Sequence, residues 1–212
     1  MNPILLTLGV LFAVAAGLGL PVFLFLRMRQ ARDDRATKDS PVQLSLKPRK
    51  GNWSDKDLMK ALAEPLLARG FVQVGEYEAT ELPGVAMQML LQPQDQALAV
   101  IFEHAKVGHW VDICSFFDDG SSVVYTTNPA ARATARPGSI RLRGAGTKPG
   151  ALYTKFKAER PDNRTLVTIT EPSAAARYTK NYSDEATWRK TQGLPSDEVA
   201  ALLHHRVVRG RL

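Results

Sequence analysis

The sequence predicts an α+β protein: an N-terminal single transmembrane helix, then one antiparallel sheet of about five strands covered by an N-terminal helix and two C-terminal helices. Three observations lead there. Residues 4–26 carry no charge, residues 71–127 break into short β-rich runs separated by turn residues, and helical spacing appears on both sides of those runs. The chain divides accordingly into an anchor at 1–26, a linker at 27–53 and an α+β domain at 54–212.

As a helix, the apolar run would extend roughly 34 Å, enough to cross a bilayer's hydrocarbon core. Arg27, Arg29, Arg32, Arg35 and Lys38 follow it, while no basic side chain precedes it. By the positive-inside rule this places the N-terminus outside and the domain in the cytoplasm, at the inner membrane. A cleaved signal peptide fits less well, because its basic n-region is missing and the apolar run continues well past Ala13-Val14-Ala15. Residues 27–53, polar and punctuated by Pro41, Pro48 and Gly51, read as a flexible tether.

Ser54 has the chemistry of an N-cap, with Asp55 and Asp57 in the first turn behind it. Leu58, Met59, Leu62, Leu66 and Leu67 then give one apolar face, Pro65 should kink or end the helix, and Gly70 stops it. Strands are expected at 71–77, 85–91 and 98–102, separated by Leu82-Pro83-Gly84 and Pro93-Gln94-Asp95. The clearest pair, 109–117 and 121–127, brackets Asp118-Asp119-Gly120 as a hairpin. In its first arm Trp110, Asp112, Cys114 and Phe116 share one face, and Val111, Ile113, Ser115 and Phe117 the other. A further strand is expected at 165–170, and helices at 174–190 and 199–208. Residues 144–150 read as a mobile loop, since Gly144-Ala145-Gly146-Thr147-Lys148-Pro149-Gly150 matches no phosphate-binding spacing.

Charge is divided unevenly. Up to Asp119 the chain balances to −2, and from Gly120 onward to +9, so the basic character belongs to the later part of the domain. Arg132, Arg136, Arg141, Arg143, Lys148, Lys155, Lys157 and Arg160 fall in a stretch with no carboxylate before Glu159. Such a segment presents positive potential to an anionic lipid leaflet or an acidic protein partner. With Tyr153 and Phe156 its only aromatic residues, it lacks the stacking platforms of a single-strand nucleic-acid binder.

Candidate chemistry is sparse. His104, His109 and Asp112 form a weak polar cluster around an expected turn, but in a strand His109 and Asp112 would point to opposite faces. Cys114 or Ser115 with one of these histidines would be the nucleophilic arrangement, yet no nucleophile elbow is present, and Cys114 sits among apolar neighbours as a small hydrophobe. No set of His, Cys, Asp and Glu has zinc spacing, and neither a metal nor a cofactor is expected. The sequence therefore points to a membrane-anchored interaction or binding domain, docking through its basic stretch. The alternatives are a tethered hydrolase-like enzyme, which would need a concave pocket around the histidines, and a small-ligand sensor, which would need a closed cavity under the sheet.

Overall fold

The computed structural model describes Arg27 and residues 37–38, 40–104, 107–129, 131–196 and 199. Seven strands form one sheet in sequence order: β1 (Leu46–Pro48), β2 (Val72–Ala79), β3 (Val85–Gln92), β4 (Ala97–His104), β5 (Gly108–Phe116), β6 (Ser122–Thr126) and β7 (Ile140–Arg143). Among the described residues three helices accompany them: α1 (Lys56–Leu67), α2 (Pro149–Glu159) and α3 (Glu171–Thr191). Every neighbouring pair is antiparallel except β6 and β7, which run parallel. A parallel step needs a crossover of about a dozen residues, and the 127–139 segment supplies it.

This corrects the expected architecture. The sheet is mixed and has seven strands where an antiparallel sheet of about five was expected, and its helices lie on both faces. One face packs Met59 and Leu66 of α1 and Leu152 and Phe156 of α2 against Ala99, Ile101, Val111 and Ile113. The other packs Ala174, Tyr178, Tyr182 and Ala186 of α3 against Met87, Val100, Phe102, Trp110 and Cys114. Covered twice, β3 and β4 are buried at every residue, which is why they are near-continuous apolar runs with little alternation. The face division expected for β5 holds, and on the α3 side Phe102 stacks on its cross-strand partner Trp110 at 4.8 Å.

The transmembrane helix expected at 4–26 lies outside the described residues. Among the described residues no helix is long and apolar enough to cross a membrane, so the structure gives the membrane and transmembrane assignments no support. Within the expected linker, Leu46–Pro48 pairs with β2 as an edge strand, and Glu76 accepts from Gly51 N and Trp53 Nε1.

Other elements shift for local reasons. Asp55, not Ser54, caps α1 by accepting from Leu58 N at 2.9 Å, because the Ser54 N–H and hydroxyl are both taken by Glu103. Pro65 sits inside α1, two residues from its end, so the one i→i−4 bond it removes lies in the last turn. Residues 144–150 are not a loop throughout: Pro149 opens α2, since a missing N–H in the first turn costs nothing. The strand expected at 165–170 reduces to a single bridge between Leu166 and Phe117. Both edges of β5 are occupied by β4 and β6, so the 165–167 segment bonds only where β5 runs out, Phe116 O accepting from Val167 N and Asp118 N donating to Thr165 O. The helix expected at 174–190 is α3, closed at its start by a Thr170–Ser173 capping box. Beyond Val199, the helix expected at 199–208 lies outside the described residues.

Candidate functional site: the basic face of α2

The histidine cluster does not assemble. His104 ends β4 on the α3 side of the sheet, where its Nδ1 accepts from Val107 N at 3.2 Å and its Nε2 rests against Gly84. His109 faces the α1 side, with Nε2 buried at 3.6 Å from Glu103 Oε1. Asp112 lies three pairs further along the β4–β5 ladder and faces α3, where Thr126 Oγ1 donates to it at 2.5 Å. The concave histidine pocket on which an enzyme reading rests is therefore not formed by these three residues.

The nucleophilic pairing fares no better. Burial, reinforced by the Asp112 charge, pushes the Cys114 thiol far above its ordinary range, and its Sγ donates to Leu98 O. Ser115 is fully buried, donating to Gln96 O at 2.8 Å and accepting from Arg160 Nη1 at 3.1 Å. Among the described residues no group of three or more His, Cys, Asp or Glu side chains could hold a metal ion.

The basic stretch splits into inward and outward sets. Arg136 turns in, donating to Asn181 Oδ1 and Gly120 O and lying 3.9 Å from Glu185. Arg160 turns in as well, spending its guanidinium on Asp95 O and Ser115 across the Phe156 ring. Arg132 and Arg141 are half-buried. Arg143, Lys148, Lys155 and Lys157 are exposed, the last three on α2 or at its start. Lys157 reaches Asp95 at 2.8 Å with half its side chain still in water.

Arg69, which the sequence did not mark out, completes the outward set. Its guanidinium lies over Gly150 in the first turn of α2, so close that a Cβ there would meet Nη1 at 2.6 Å. Beside it opens a depression of about 720 Å³, lined by Arg69, Gln92, Gln94, Tyr153, Thr154 and Lys157. Asp95 forms part of its wall. Burial alone would raise the Asp95 carboxyl, but hydrogen bonds from Lys157 and Tyr153 outweigh it and hold the group below its ordinary range. Burial and the same hydrogen bond push the Tyr153 phenol up, so it stays a donor. Glycine at 150 was the available signal for Arg69, but only the packing of α1 against α2 reveals why it is needed.

A scan against protein-family models, a search of curated proteins and a search of solved structures each found no match.

Proposed function

We propose that this chain is a binding module that docks an acidic protein partner on the basic face of α2. One observation carries the reading: once Arg136 and Arg160 are committed to internal contacts, three of the four side chains of the basic stretch left exposed, Lys148, Lys155 and Lys157, are on α2 or at its start, and Lys157 lines an open depression together with Arg69. The start of α2 has no acidic residue in its first turn and no capping side chain, so the helix dipole adds to the positive potential there. A wide, shallow depression with Arg69 and Lys157 in its wall suits side chains of a docked surface segment better than an enclosed small molecule. Solvent-exposed charges at such a rim act chiefly on encounter rate and salt dependence.

The test is titration of the full chain with a fluorescent glutamate-rich peptide at rising salt. Saturable binding that weakens steeply with ionic strength supports the reading, and absence of binding at low salt refutes it.

A further inference from the structure

The basic face of α2 already holds a carboxylate that belongs to the chain itself. We infer, resting on the α2 docking reading, that Asp95 is a built-in competitor for the acidic partner: its carboxylate fills the place of a partner carboxylate until a segment carrying several of them displaces it.

Asp95 comes from the turn at residues 93–96 between β3 and β4, and it reaches Tyr153 across 58 residues of chain. In the wall of the depression its carboxylate accepts from Lys157 Nζ at 2.8 Å and from the Tyr153 hydroxyl. Tyr153 and Lys157 stand four residues apart on α2, so a cation and a neutral donor project from one side of the helix toward the same point. Charge-assisted bonds of this kind are what an incoming acidic side chain would form there. A residue of the same chain has already made them.

The competitor can leave without unfolding its support. Arg160 Nη1 donates to the Asp95 carbonyl, and Ser115 Oγ donates to the Gln96 carbonyl at 2.8 Å, so the turn backbone is held independently of the carboxylate. Rotation of the Asp95 side chain to another staggered position therefore frees Lys157 and Tyr153 while the turn stays in place. Side-chain exposures of 21% for Asp95 and 50% for Lys157 let water take up both released charges.

Tethering sets the threshold for displacement. A group on the same chain competes at an effective concentration of about millimolar or more, which an isolated acidic side chain in solution does not match. A segment that also meets Arg69, Lys148 and Lys155 does match it, because each contact after its first is intramolecular as well. Asp95 thus favours clustered carboxylates over single ones, and its own charge disfavours weak acidic encounters.

The experiment is a double-mutant cycle on the full chain at low salt, titrating the glutamate-rich peptide into the unaltered protein, Asp95→Asn, Lys157→Met and the double variant. Asp184→Asn, on α3 across the sheet, repeats the change in net charge away from the depression. Asp95→Asn should bind about fivefold tighter, and Asp184→Asn should stay within about twofold of the unaltered chain. With Lys157 replaced, the Asp95 substitution should change affinity less than about twofold, because the contested donor is gone. A purely structural Asp95 predicts no gain in affinity, since its loss only loosens the fold. In the unaltered chain, saturation with peptide should also move the Asp95 carboxyl ¹³C resonance, a readout that needs no variant to fold. Binding by the unaltered chain with no gain in Asp95→Asn, an equal gain in Asp184→Asn or in the Lys157→Met background, or an Asp95 resonance that peptide leaves in place overturns the competitor role and leaves the α2 site standing. No binding by any of these chains overturns both.

Discussion

Arg189 donates from Nε to Glu185 Oε1 at 2.8 Å across one turn of α3, and the pair lies between the helix and the sheet with side-chain exposures of 2% and 12%. A second donor on the same guanidinium reaches Thr134 O at 2.7 Å, so one side chain ties α3 to the 127–139 crossover. Breaking a buried pair from one side strands a charge, whereas removing both partners does not. Arg189→Met should lower stability by about 3 kcal/mol, through loss of its contacts with Glu185 and Thr134. Urea unfolding of the two chains checks the difference.

Cys114 offers a probe of core integrity. Its thiol is 3% exposed and held protonated by burial and the nearby Asp112 charge, so the attacking thiolate is not available. The native chain should not react with an aromatic disulfide reagent at neutral pH, and one equivalent should react once the chain is unfolded.

Gly84 follows the turn at Leu82-Pro83 with φ +81°, and a Cβ there would stand 3.1 Å from His104 Nε2. Both the left-handed backbone and the closeness of the imidazole oppose a side chain. Gly84→Ala should cost about 1–3 kcal/mol in thermal or urea unfolding.

Acid should act through Asp95. Its folded carboxyl titrates below the 3.8 of a free aspartate, so it contributes stability above that value and loses it as pH falls through the folded one. The stability gap between the unaltered chain and Asp95→Asn should be fully present at neutral pH and close below about pH 4. A gap that stays constant across that range would contradict the assigned contacts with Lys157 and Tyr153.

Local chemistry made the middle of the sheet legible. Leu82-Pro83-Gly84 and Asp118-Asp119-Gly120 mark real turns, the latter with Gly120 at φ +83° and Asp119 accepting from Ser121 N. The runs between them pair in sequence order, which short antiparallel connections enforce. What stayed hidden depends on distant partners. β7 is four residues in a Pro- and Gly-rich basic segment, and it becomes a strand by lying parallel to β6. β1 is three residues ending in Pro48, with almost no signal of its own. A helix on each face was foreshadowed by the near-continuous apolar character of β3 and β4, which one covered face would not require. The site followed the same pattern. The basic run was visible in the sequence, but not which members turn inward, because Arg160 finds Asp95 across 65 residues and Arg136 finds Asn181 across 45.

Location of the partner contact is best tested by charge reversal on opposite sides of the fold. Lys148→Glu/Lys155→Glu cancels the positive charge of the α2 face, while Lys180→Glu alters an exposed residue of α3 already paired with Asp184. Binding of the glutamate-rich peptide at low salt should fall at least tenfold in the first variant and change little in the second. Equal loss in both, or none in the first, would contradict an acidic-partner site on α2.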